Sequence, residues 1–300
     1  MAKSFIFDRQ PPIKTLTLLS ASCFCNSASL LRWLHPVVNG FVDHVDLTFL
    51  QHSSTTPICF PGPILTYSPL VVLNLNGNGV LMIYHVDKYL THLPKLKKLH
   101  MTKVRFRKLK YLIKILSVCP FLEDLLIKNV STHDDNDTLD ALAKQTDELL
   151  EPFPNLLKSH ISDSSSISYF FPLKLFYNVE FLRAQVAVRK PLKLFNYVAP
   201  VQTTQFFNLT HVELSFEKED EEYYCRWDWL KKFIRACPSL QSIVIHKIGG
   251  GGYGSSVDDH NSLHPQFVPN CNVFDNCNKS SFLEILEARK VSFAEISSSK

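Results

Sequence analysis

Apolar residues recur along this chain in one cadence: an anchor, then further apolar positions three and five residues on. The cadence is plainest at Leu96-x-x-Leu99-x-Met101 and returns at Leu122-x-x-Leu125-x-Ile127, each with a proline two residues ahead of the anchor. Between the two lies a basic segment with apolar residues at Leu109, Leu112, Ile113 and Leu116, the i, i+3, i+4, i+7 stripe of an amphipathic helix. The last two apolar residues of each cadence alternate with polar ones, so both point to one face of a short strand. The pattern predicts strand, helix, strand, with the anchors at positions 96 and 122 separated by 26 residues.

The same cadence is read at anchors 13, 42, 70, 96, 122, 156, 179, 209, 240 and 283. It is imperfect at Leu156-x-x-Ser159-x-Ile161, where a serine replaces an aliphatic residue, at Val179-x-x-Leu182-x-Ala184, and at Leu283-x-x-Leu286-x-Ala288. Repetition at this interval is the signature of leucine-rich repeats. Each unit is too small to bury its own apolar face, so copies stack with their strands side by side and parallel. The fold class expected is α/β, an irregular leucine-rich-repeat solenoid with a curved parallel sheet on the concave face and helices and loops on the convex face. Residues 1–12 form a lead-in and 13–248 the solenoid. Residues 249–300 are a Gly-rich link and C-terminal segment, polar to about Ser281 and closing on a strand at Leu283-x-x-Leu286-x-Ala288.

Helices are expected at Leu30–Leu34, ended early by Pro36, around Leu139, Leu142, Leu149 and Leu150, and from Trp227 to Cys237. Residues 51–69, with four prolines, read as a loop, and Asn76-Gly77-Asn78-Gly79 as a turn.

Composition changes this picture little. With 45% hydrophobic and 20% charged residues the chain is an ordinary folded sequence. A net charge of +4, with its lysines spread out, lacks the basic stripe of a nucleic-acid surface. No apolar run reaches the ~18 residues of a membrane span, and no leader pattern opens the sequence. The eight cysteines contain no C-x-x-C pair. Cys119 and Cys237 each precede a proline at the end of an apolar helix, as small reduced core residues, so a cytoplasmic or nuclear location is expected. Gly249 to Gly252 lacks the G-K-[ST] ending of a phosphate loop, and the acidic runs 134–137 and 217–222 lack calcium-loop spacing. No cofactor, metal or catalytic constellation is expected, and the chain is read as a non-enzyme.

The residues resemble a plant family, the F-box proteins with leucine-rich repeats and a C-terminal FBD domain. The resemblance rests on Leu31-Arg32-Trp33-Leu34 leading to His44-Val45-Asp46-Leu47, on Leu70-Val71-Val72-Leu73-Asn74-Leu75, and on the two proline-led cadences. Phe207-Asn208-Leu209-Thr210-His211-Val212-Glu213-Leu214, the helix from Trp227, Pro238-x-Leu240 and Val268-Pro269-Asn270-Cys271 look like the start of FBD, with a divergent end. The resemblance implies the target-binding part of a Skp1–cullin–F-box ubiquitin ligase receptor. Only a dozen residues precede the first repeat, so Skp1 and cullin are expected as partners only through an F-box supplied outside this chain. The alternative is a standalone leucine-rich-repeat scaffold or inhibitor unconnected to ubiquitination.

The informative candidates are the strand residues between the apolar ones, which face the concave side. They are Asp46, Asn74, His100, His160, Arg183 and Glu213, joined by His44, His211 and His246. Leu126 and Val244 share the central position, and Lys98, Asp124, Lys158 and Phe181 the flanking one. Histidines here can serve a partner, a pH response or a metal, or can simply be tolerated by a solvated strand. As a set, this charged, imidazole and aromatic surface fits recognition of a target protein better than catalysis. Trp227 lies on the buried stripe of its helix, and Trp229 is left open.

Overall fold

At every anchor but Leu283 a strand begins two residues on, the anchor itself lying ahead of it. Leu70, Leu96, Leu156, Val179 and Leu209 are all fully buried, as are the alternating residues that follow them in the strands, such as Leu99, Leu125, Leu214 and Ile245. The computed structural model describes residues 14–20, 27–39, 42–50, 57–66, 69–84, 86–89, 92–133, 152–162, 173–186, 205–216, 224–248 and 271–298.

Two compact units are distinguished: Met1–Leu156 with Asp163–Phe170, and Leu157–Ser162 with Phe171–Lys300. In the first, the elements run β1 (Thr15–Ser20), α1 (Ser27–Asn39), β2 (His44–Phe49), β3 (Ile58–Cys59), β4 (Val72–Asn76), β5 (Leu81–Ile83) and α2 (Val86–Tyr89). They continue with β6 (Lys98–Thr102), β7 (Arg105–Phe106), α3 (Leu109–Ser117), β8 (Asp124–Lys128) and β9 (Ser131–Thr132). The second holds β10 (Lys158–Ser162), β11 (Phe181–Val186), β12 (His211–Phe216), α4 (Tyr224–Arg235), β13 (Ser242–Ile248), α5 (Cys271–Ala288) and β14 (Ser292–Ser298).

Strands β1-β2-β4-β6-β8 form a parallel ladder in the first unit, and β10-β11-β12-β13-β14 another in the second. The architecture is therefore α/β and of leucine-rich-repeat type, as the cadence predicts. Each repeat is tied to the one before by a shared carbonyl at the strand entrance. The Val71 carbonyl accepts from the amides of Lys97 and Lys98, Lys97 from Glu123 and Asp124, and Glu180 from Thr210 and His211. The predicted stripe of α3 is wholly buried, with Leu109, Leu112, Ile113 and Leu116 all within the core.

A second parallel ladder, β3-β5-β7-β9, lies in the first unit and has no counterpart in the sequence reading. Residues with left-handed backbone lead into it: Asn78 (φ 46°), Gly79 (φ 82°), Lys103 (φ 51°) and Asn129 (φ 51°). Gly77 is required nearby, since a Cβ there would stand 2.7 Å from the Lys103 carbonyl oxygen and 2.8 Å from Leu81 Cβ. The stretch expected to be loop at 51–69 thus contains β3 and a 3₁₀ turn, Gly62–Thr66.

Two further expectations are corrected. Helix α1 does not stop before Pro36 but runs on to Asn39. A proline near a helix end removes one backbone hydrogen bond, and here the burial of Leu30 and Leu34 outweighs it. Leu283-x-x-Leu286-x-Ala288 is not a strand, and residues 271–281 of the expected polar segment are not irregular: both belong to α5. Phe282 and Leu286, four apart, are buried on one side of that helix, and the final strand is β14. The helix expected around Leu139 to Leu150, the Gly-rich link and both acidic runs lie outside the described residues.

In the second unit α4 and α5 pack through Trp227, fully buried, whose ring centroid lies 5.1 Å from that of Phe282. Trp229 is half-buried and stacks on Phe233 at 5.1 Å. Arg289 closes the C-terminal end of α4, donating from Nη1 to the Ile234 carbonyl and from Nη2 to that of Cys237, both at 2.5 Å.

Candidate functional site

Because neighbouring strands are parallel and in step, equivalent residues form straight rows across each ladder. In the first unit the pairing brings Thr17, Asp46, Asn74, His100 and Leu126 into one row, and His44, Val72, Lys98 and Asp124 into the row beside it. In the second, one row is His160, Arg183, Glu213 and Val244, and its neighbour is Lys158, Phe181, His211 and Ser242. His246 falls on the other flank, opposite Ser215. Every sequence-predicted site residue is therefore on the polar face of a strand, opposite the buried leucines.

Within each unit some of these side chains interlock. In the first, Asp46 Oδ2 accepts from Asn74 Nδ2 at 3.4 Å. His100 Nε2 stands 3.0 Å from Asp124 Oδ1, and Lys98 Nζ stands 3.6 Å from Asp124 Oδ2. His100 Nε2 is buried and makes no hydrogen bond of good geometry. The neighbouring imidazole is nevertheless the largest influence on the Asp124 carboxyl, holding it below its ordinary value against the opposing effect of partial burial; the charge of Lys98 adds to the lowering. Neither Asp124 nor Lys98 stands in the central row; each was predicted only as a flanking position.

In the second unit Glu213 is the hub. Its Oε2 lies 3.4 Å from Arg183 Nη1, directly across the ladder, and 3.2 Å from His246 Nε2, diagonally across on β13. The three side chains keep 34%, 26% and 18% of their surface for Arg183, Glu213 and His246, so the cluster is reachable from solvent. Arg183 Nε is buried without a hydrogen-bond partner, as is Asn74 Oδ1 in the first unit. His160 Nε2 is 2.8 Å from Ser162 Oγ, and His211 Nδ1 is 2.8 Å from Thr210 Oγ1. His44 pairs with its neighbour Asp43. The five histidines are thus each tied locally.

Chemically, these are charged and polar groups held in rows on strands, an arrangement able to complement a charged and polar surface. Among the described residues no three His, Cys, Asp or Glu side chains come together in a way that could hold a metal ion. No described helix is long and apolar enough to cross a membrane. Among the described residues two thiols are buried and inert by environment: burial pushes both Cys119 and Cys237 up to about 12, with the charge of Arg289 pulling the other way on Cys237.

No protein-family model matches the chain. It is similar to FBD-associated F-box proteins of Arabidopsis thaliana: one is 24% identical over 88% of this chain and 66% of its own length, a second 25% identical over 91% and 69%. A third is 29% identical over 42% of this chain and 31% of its own length. The chain spans about two thirds of the length of the first two relatives. In the first two of these FBD-associated F-box proteins the similarity runs along most of this chain.

Proposed function

We propose that the chain is a non-catalytic protein-recognition module, presenting the polar face of its parallel ladders to a target protein. Its role is then that of the target-binding part of a Skp1–cullin–F-box ubiquitin ligase receptor, with Skp1 engaged only through an F-box outside these residues. The observation that carries this reading is the Arg183–Glu213–His246 cluster, held across three strands and open to solvent. His160 and His211 extend the proposed contact surface within the second unit, and Asp46, Asn74, His100 and His44 form the corresponding surface of the first.

Affinity capture from plant extract tests it. Arg183→Glu and Glu213→Lys, each with an unchanged far-UV circular dichroism spectrum, are expected to cut recovery of the captured protein by about tenfold or more. The exchanged pair, Arg183→Glu with Glu213→Arg, keeps an ion pair within the ladder yet is expected to stay defective in capture. Capture unchanged in all three variants removes the polar face as the binding surface. Direct binding of purified Skp1 to this chain alone would contradict the assignment of Skp1 contact to a region outside it.

A further inference from the structure

Across the second unit the polar rows change character from one side to the other. Lys158 and His160 on β10 stand opposite Phe181 and Arg183 on β11, and these stand opposite His211 and Glu213 on β12. With strands about 4.8 Å apart and same-face residues about 6.6 Å apart along a strand, the six occupy a patch of about 10 Å by 7 Å. Four of them are basic: Lys158, His160, Arg183 and His211. Lys158 and His211 are exposed, and His160, Phe181 and Arg183 are half-buried. Glu213 is the one carboxylate among the described residues of these rows, and Arg183 and His246 already engage it, at 3.4 Å and 3.2 Å. Further along, the rows turn apolar. Val244 on β13 follows Glu213 and leads to Ala294 on β14, while Ile296, 46% exposed, stands opposite His246.

Resting on the reading of this face as the target-binding surface, we propose that the second unit takes an extended acidic segment of its target, laid across the strands. A carboxylate side chain of that segment lies over β10 and β11, and an aliphatic one over β13 and β14. Charge complementarity carries the assignment. A basic patch whose own carboxylate is already engaged from two sides attracts a second carboxylate and repels a basic segment. Glu213 then acts as a positioning group, holding Arg183 in the patch, while Val244, Ala294 and Ile296 offer apolar contact to the far end of the segment. The spacing follows from the sheet. The two contact points are three strand spacings apart, about 14 Å, which an extended chain rising about 3.3 Å per residue covers in about four residues. An even separation also turns both side chains to the same face of the segment. The target sequence is therefore an acidic residue and an aliphatic one four positions apart, in either order.

Fluorescence anisotropy of the full chain with labelled synthetic peptides tests the proposal. Two peptides carry an acidic pair and a leucine at this separation, one in each order; controls replace the acids by their amides or bring the leucine next to the acids. At least one of the two acidic peptides is expected to bind, and to weaken as salt rises. Each control is expected to bind about tenfold or more weakly. Lys158→Glu and Ile296→Lys, both at exposed positions, are expected to keep the melting temperature and to weaken the acidic peptide by about tenfold or more. Ile296→Lys separates the apolar contact from simple attraction, since it adds a positive charge. Absence of binding, equal binding of the amide control, survival of both variants, or tighter binding by Ile296→Lys overturns the proposal. If capture from extract is lost in Arg183→Glu while the peptides are not told apart, this proposal falls and the recognition role stands. Capture unchanged by every Arg183 and Glu213 variant sinks the recognition surface, and this proposal with it.

Discussion

Two serines on β10 should respond to the same substitution with opposite sign. Ser159 occupies a position where the cadence calls for an aliphatic side chain; it is fully buried, opposite Leu182, and its hydroxyl has no hydrogen-bond partner. Ser162 is also buried, but its hydroxyl lies 2.8 Å from His160 Nε2. Burying an unpaired hydroxyl costs about 1–3 kcal/mol in proteins. Ser159→Ala removes that cost while leaving only the space of one oxygen atom, so a gain of about 1 kcal/mol is expected. For a unit of this size that raises the melting temperature by about 2–4 °C. Ser162→Ala removes a satisfied hydrogen bond and is expected to lose about 1 kcal/mol. Urea unfolding followed by circular dichroism resolves the two through their midpoints, provided the slope against urea stays constant. Destabilisation by Ser159→Ala, or equal effects at both positions, refutes the reasoning that the repeat carries an unsatisfied polar atom in its core.

Other consequences follow from the second unit and from the thiols. Arg289→Ala frees the carbonyls of Ile234 and Cys237 at the end of α4 and is expected to cost about 2–3 kcal/mol in the same unfolding assay, with Arg289→Lys intermediate. In native protein the exposed Cys59 is expected to be alkylated readily at pH 9, whereas at Cys119 and Cys237 only about one thiol in a thousand is ionised, so mass spectrometry should find them unmodified until denaturant is added. The sign of the linked pH effect is set by which state keeps its protons. Above the ordinary thiol value of 9.0 the unfolded chain has lost them while the folded chain holds them up to about 12, so both cysteines make stability fall as pH rises through that interval. Replacing both with alanine should flatten that part of the profile; an unchanged profile assigns the alkaline loss to other groups.

What the sequence reveals, and what it hides, follows from the period of the signal. A residue repeat of two is unambiguous when it recurs at steady intervals, so Leu99 and Met101, Leu125 and Ile127, and Leu214 with Val212 could be placed in the core and their polar neighbours on one face before any coordinates. The register then follows almost without choice, since a slip of one residue would expose every leucine. The same spacing is ambiguous in isolation. Leu283 and Leu286 satisfy both the strand cadence and the i, i+3 step of a helix, and the decision is made by Phe282, whose contact with Trp227 requires a helical face on α5. The ladder β3-β5-β7-β9 was invisible because strands of two or three residues have no period to read; its trace is the left-handed residue after a strand, at Lys103 and Asn129, of which only the asparagine is a type that favours that conformation. The proposed binding surfaces divide in the same way. Their rows were legible, but their cross-strand partners were not: Asp124 meets His100, and His246 meets Glu213, along diagonals between strands. Such contacts depend on rotamer and twist rather than on sequence spacing. Each unit is therefore better understood as carrying one pre-assembled polar cluster, around Asp124 in the first and Glu213 in the second, than as a scatter of separate histidines. Under the proposed function a target would have to match those paired groups and not only their positions.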